Sequence, residues 1–147
     1  AGEPADPQVY APGSTAASRR GPPRHVLMFQ GILDTYIPPP VANPLSLAFG
    51  LDLAGEALDA TLADRFTPLL DRLPLAGGTR RDLPVAGNRD DGAVTAVVVQ
   101  HPEDPVEDGH EVVFQRPGPK HQYRCFLESW RDGVPRVPPG DAAGCGR

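Results

Sequence analysis

Two apolar runs constrain this chain more than anything else in it: "HVLMFQ", His25–Gln30, and "AVTAVVVQH", Ala93–His101. Neither alternates apolar with polar, and both are too short for a buried helix. The first lies between Pro-Pro and Gly, and the second is almost entirely Val, Ala and Thr. Such runs suit strands buried on both faces, as in a parallel sheet covered by helices on each side.

Between and around them, Gly and Pro restrict what else can form. The 147 residues hold 16 Gly and 19 Pro, densest before residue 40 and again at 135–139, so the core must come from the middle of the chain. Residues 1–23 have no periodicity and read as coil or linker, and residues 134–147 read as a tail. From Val41 to about Leu75 the pattern turns helical, with Leu45, Phe49 and Leu53 spaced by four, and Pro68 and Pro74 limiting a second piece. "GGTRRDLPVAGNRDDG" is a polar connection. After the second strand, "EVVFQ" reads as a short extended piece, and "KHQYRCFLESWRDG" as a helix directing Tyr123, Phe126, Leu127 and Trp130 inward. Strand and helix alternate, which predicts an α/β fold with a mostly parallel sheet. Two strands do not make a stable sheet, so the pattern resembles the end of a larger one, with 24–133 as its body and about 41–91 as a helical insertion.

Bulk properties exclude several classes. The net charge is −5 and the bases are scattered, without the basic stripe that nucleic acid requires. No run approaches the length of a membrane span, and residues 1–23 lack the apolar region of a signal peptide. Thirteen of the fourteen basic residues are Arg, in an Ala-, Gly- and Pro-rich chain, as a GC-rich genome produces. Cys125 and Cys145 are too few for a disulfide scaffold and have no metal-type spacing. Cys125 suits a small core position; a bond to Cys145 stays open, as does the compartment. His101, His110 and His121 with Glu103, Asp104, Glu107 and Asp108 fit neither a zinc pattern nor a calcium loop.

The residues that follow the two strands carry the chemistry. The first strand leads into Asp34, and the second into a loop ending Asp108-Gly109-His110. Sites in parallel α/β sheets form outside the carboxyl ends of strands. An acid after one strand and a histidine after another can form a pair in which the carboxylate fixes the imidazole tautomer and leaves Nε2 free for a proton. The plainer alternatives are that Asp34 caps a turn and that His110 is a surface loop histidine. His101, ending a strand, and His121, opening a helix, read as structural or solvated.

"HVLMFQGILDTYIPP", "VVVQHPEDPVEDGHEVVFQ" and "HQYRCFLESW" together resemble the C-terminal part of an α/β-hydrolase, over roughly residues 24–131. Gly31, Asp34, Ile37 and Pro38 match the family's acid-bearing turn, and Gly109-His110 its histidine loop. The resemblance implies Asp34 as triad acid and His110 as general base of a serine esterase or lipase, with no cofactor and an ester as substrate. The sequence departs from the family in one respect: it has no G-x-S-x-G. Its four serines, Ser14, Ser18, Ser46 and Ser129, lie in coil or in expected helices. The nucleophile and oxyanion hole would then belong to a missing N-terminal hydrolase half. The rival expectation is a non-catalytic α/β binding module.

Overall fold

The structure, a computed structural model, describes residues 6–12, 22, 24–105 and 108–146. Its centre is a four-stranded, wholly parallel sheet in the order β1-β5-β2-β3. These strands are β1 (Val26–Gly31), β2 (Asp52–Ala54), β3 (Arg80–Arg81) and β5 (Ala96–His101). A short antiparallel pair, β4 (Val85–Ala86) with β6 (Arg136–Val137), stands apart. The helices are α1 (Pro7–Tyr10), α2 (Pro39–Ala48), α3 (Leu69–Arg72), α4 (Val112–Gln115) and α5 (Pro117–Trp130). The chain is thus α/β with a mostly parallel sheet.

The two strong runs of the sequence are direct neighbours. β1 and β5 pair in parallel register from Val26↔Ala96 to Gly31↔His101. Successive residues alternate between faces. On one face Val26, Met28, Ala96 and Val98 meet Leu51, Leu53, Leu69 and Leu73, with Leu47 and Phe49 alongside. On the other, Leu27, Phe29, Val97 and Val99 meet Ala54, Val85, Val137 and Phe126. All six residues of β5 are buried, because it lies between β1 and β2 with a core cluster on each face.

Several elements differ from the sequence expectation. The helical pattern predicted over 41–75 breaks after Ala48: Gly50 takes a left-handed φ of 64° and the chain turns into β2. Leu53 therefore lies in a strand and not on the face of a helix with Leu45 and Phe49. The rest of that segment is 3₁₀ turns at Leu58–Leu62 and Leu73–Ala76 around the four-residue α3, since Pro68 and Pro74 deny a longer helix its amide donors. "EVVFQ" is helical, not extended, and forms α4. Its amides are spent within the segment, Gln115 N–H donating to the Glu111 carbonyl and Arg116 N–H to the Val112 carbonyl.

The last helix is where expected, but only part of its apolar stripe is covered. Cys125 is buried and Phe126 packs in the core, whereas Tyr123, Leu127 and Trp130 are exposed. Their spacing is right for a buried face, yet the described sheet ends at β1 and leaves that side of the helix bare. Cys125 and Cys145 form a disulfide. Together with β6, whose Val137 is fully buried, it ties residues expected as a tail to the second face of the sheet.

Asp52 supplies an internal anchor that the pattern did not suggest. Its side chain is fully buried, and it accepts from Arg89 Nη2 at 2.6 Å, Asn88 Nδ2 at 2.9 Å, Arg81 Nε at 3.0 Å and the Thr79 amide at 2.8 Å. Four donors on one carboxylate meet the condition for keeping a charge inside a protein. Through them, Asp52 fixes the loops that surround β3 to the sheet.

Candidate functional site

Asp34 and His110, 76 residues apart, meet outside the carboxyl ends of β1 and β5. His110 Nδ1 lies 3.1 Å from Asp34 Oδ2. A carboxylate can only accept, so the Nδ1–H donates, and the neutral tautomer that this selects has its lone pair on Nε2. Asp34 Oδ1 accepts at 2.8 Å from each of the amides of Tyr36 and Ile37. Asp34 therefore does two things at once: one oxygen organises the turn, the other holds the imidazole. Its side chain is only 11% exposed, against 36% for His110. The Tyr36 ring lies on the imidazole, with centroids 4.7 Å apart.

The two loops carrying this pair are clamped backbone to backbone. A Cβ added at Gly31 would fall 1.7 Å from the Gly109 carbonyl oxygen, and one at Gly109 would fall 2.4 Å from the Asp34 amide nitrogen. No other residue type permits this approach. Asp108 completes the clamp, at a left-handed φ of 72°. Its carboxylate accepts from Thr35 Oγ1 across the gap, and its other oxygen accepts from the His110 amide at 2.6 Å. These two hydrogen bonds, Thr35 first, hold its carboxyl below the usual range. The sequence placed Asp108 in the loop that ends Asp108-Gly109-His110 without giving it a role; the Asp-Gly pair directly before His110 was the available signal.

Beneath the pair is a closed ring of buried polar side chains. Gln30 Nε2 donates to Asn43 Oδ1 at 3.1 Å, and Asn43 Nδ2 donates to Asp59 Oδ2 at 3.2 Å. The Asp59 amide donates to Gln100 Oε1 at 3.1 Å, and Gln100 Nε2 closes the ring on Gln30 Oε1 at 3.0 Å. The ring joins β1, α2, the turn after β2, and β5, which are the elements that set the loops' positions. Its sequence signal was present: each apolar run has a Gln near its end, and the register pairs Gln30 with Gln100. Asp59 Oδ1 is buried with no partner among the described residues.

A cavity of about 450 Å³ opens beside His110 and Asp34, lined mainly by Met28, Phe29, Ile37, Val41 and Leu45. Its walls come from the start of α1 (Asp6, Pro7 and Gln8), β1, the turn and α2. The remaining candidates are dispersed. His101 is buried on the opposite face of β5, and His121 lies on α5 beside Cys125. No group of three metal-binding side chains forms among the described residues, and Glu107 lies outside them. Both described serines are occupied: Ser46 Oγ bonds the Ala42 carbonyl and Gln30, and Ser129 Oγ bonds the Cys125 carbonyl and the Arg136 amide. Ser14 and Ser18 lie outside the described residues. No described helix is long and apolar enough to cross a membrane.

Fold and site define an α/β protein with an Asp–His pair at the carboxyl edge of a parallel sheet. Comparison with protein-family models, with curated proteins and with solved structures returns no match.

Proposed function

We propose that this chain is the acid- and histidine-bearing C-terminal segment of a serine hydrolase acting on carboxylic esters. The observation that carries the reading is the Asp34–His110 hydrogen bond formed across adjacent parallel strands, with Nε2 unspent beside an apolar cavity. In this reading His110 Nε2 takes the proton from a serine hydroxyl as it attacks the ester carbonyl. It then returns that proton to the leaving alcohol, while Asp34 stabilises the transient imidazolium. The chemistry needs no cofactor, and the apolar cavity suits the acyl or alkyl part of a hydrophobic ester.

The serine would come from a preceding hydrolase half. β1 stands at an edge of the sheet with half-buried apolar residues, and α5 exposes Tyr123, Leu127 and Trp130 on the same side as Arg24 and His25. The β1 edge and the Leu127–Trp130 surface beside Arg24 and His25 suit a further strand and helix packed there. The same surfaces support the second reading, a non-catalytic α/β module that docks a partner. The parent reading frame separates the two: a G-x-S-x-G between a strand and a helix upstream supports the hydrolase, and its absence ends that reading. In the full-length protein, turnover of a short p-nitrophenyl ester should fall by at least about 10³-fold in Asp34→Asn and in His110→Ala. Undiminished turnover in either variant removes that residue from the mechanism.

A further inference from the structure

β5 has a second crevice on its other side, and the topology accounts for it. The chain leaving β1 passes to α2, and the chain leaving β2 passes to α3; both pack on the Leu53–Val98 face. The chain leaving β5 passes to α5, on the Val97–Val99 face. Connections diverge to opposite faces on both sides of β5, and such switch points are where open α/β sheets bind ligands. The β1–β5 gap holds the Asp34–His110 pair. The β5–β2 gap holds a crevice of about 630 Å³, formed by Gly55, Glu56, His101, Gly118, Gly140 and their neighbours.

The hydrogen-bonding state of His101 in this crevice follows from its partners. Gln122 Nε2 donates at 2.9 Å to the Pro138 carbonyl, which can only accept, so the orientation of the amide is fixed. Gln122 Oε1 therefore faces His101 Nε2 at 2.8 Å, and that nitrogen carries the proton. Nδ1 is left as a bare acceptor with no partner among the described residues. Burial keeps the ring neutral, with its pKa lowered to about 4, and Arg116 reinforces this. His101 is 9% exposed, and the lack of a side chain on Gly118 keeps the space near its Cε1 open, since a Cβ there would lie 3.7 Å away.

The surroundings narrow the ligand class. Pro102, Pro117, Pro119 and Pro139 line the crevice and offer no amide donors, and Glu56 and Asp141 add acceptors. An anion meets these acceptors unfavourably. A cation at Nδ1 meets Arg116, whose Nη1 is bound to the Glu103 carbonyl. We infer that the β5–β2 crevice binds a small uncharged alcohol with an apolar body, whose hydroxyl donates to His101 Nδ1. The inference uses neither Asp34 nor His110 and does not depend on ester hydrolysis.

The test uses the ¹⁵N-labelled 147-residue chain at pH 7, titrated with benzyl alcohol. Amide shifts should concentrate at Glu56, Gly118 and Gly140, and the His101 Nδ1 resonance should move in a long-range ¹H–¹⁵N spectrum. Benzyl methyl ether, which has the same body without the donor, should bind about fivefold to tenfold more weakly, as one lost hydrogen bond implies. Benzoate and benzylamine should bind more weakly than the alcohol. His101→Phe should abolish the difference between alcohol and ether; if that variant does not fold, the Nδ1 resonance of the unaltered chain decides. The inference is overturned by an unmoved Nδ1 resonance, by equal binding of ether or of either charged probe, or by shifts confined to the Asp34–His110 loops.

Discussion

Gly31 and Gly109 touch through their backbones across the gap between the β1 and β5 loops, with no space for even a methyl group on either. This contact sets the distance between Asp34 and His110 before either side chain is considered. Gly31→Ala is therefore expected to push the loops apart, costing stability of about 1–3 kcal/mol by overpacking. The His110 Nδ1–H signal, expected downfield in the unaltered chain because Asp34 holds it, should be lost to solvent exchange. A Gly31→Ala variant that keeps both its stability and that signal contradicts the clamp.

Asp108 acts on the same gap from outside. Asp108→Ala removes the acceptor of both Thr35 and the His110 amide and should increase the mobility of His110 on the nanosecond scale, while global unfolding changes little. Because the folded-state pKa of Asp108 is lowered, the contribution of the clamp is present above the ordinary carboxylate range and is lost as pH falls through that range to the lowered value. Backbone relaxation of His110 against pH is the measurement, and an unchanged profile in the variant refutes the role.

His101 has the opposite dependence from a histidine paired with an acid. Its folded pKa, lowered to about 4, lies below the unfolded value of 6.5, so its contribution is full above 6.5 and declines as pH falls from 6.5 towards 4. Linkage makes this roughly 3 kcal/mol. Imidazole titration by NMR should show His101 still neutral at about pH 5, and titration near the unfolded value would show that water reaches the ring in solution.

Asp52 is expected to be the most costly carboxylate to remove. Asp52→Ala leaves the Arg89 guanidinium without its partner in a partly buried position, where broken pairs cost about 3–5 kcal/mol. Denaturant unfolding measures the loss; a change under about 1 kcal/mol would mean that water replaces the carboxylate without penalty.

Reduction of Cys125–Cys145 should release the C-terminal residues. The bond closes a loop of 20 residues' separation, worth about 3 kcal/mol in chain-entropy terms. Reduced and oxidised samples compared by thermal unfolding, with proteolysis near Gly144 as a second readout, give the answer directly.

Some of this was legible in the residues. The runs at 25–30 and 93–101 specify strands because short, unalternating apolar runs suit positions covered on both faces. Asp34 and Gly109-His110 stood out because each follows such a run, and helix α5 because its period and length suffice alone. The short strands β2 and β3 were not legible: two or three residues carry no periodicity, and they are selected by hydrogen bonding, β2 to β5 and β3 to β2. Nor was the partial exposure of α5, since a stripe of Tyr123, Leu127 and Trp130 records only that the helix has an apolar side. Which of those residues is covered depends on where the sheet ends.

The chain's local chemistry thus determined where strands form and which acid and histidine follow them. Only the tertiary structure decided that β5 inserts beside β1, because strand order is a choice among long-range pairings that no local window encodes. That insertion brings Asp34 within 3.1 Å of His110. It also turns Gln30 and Gln100, each an isolated polar residue in the sequence, into one closed ring beneath the pair.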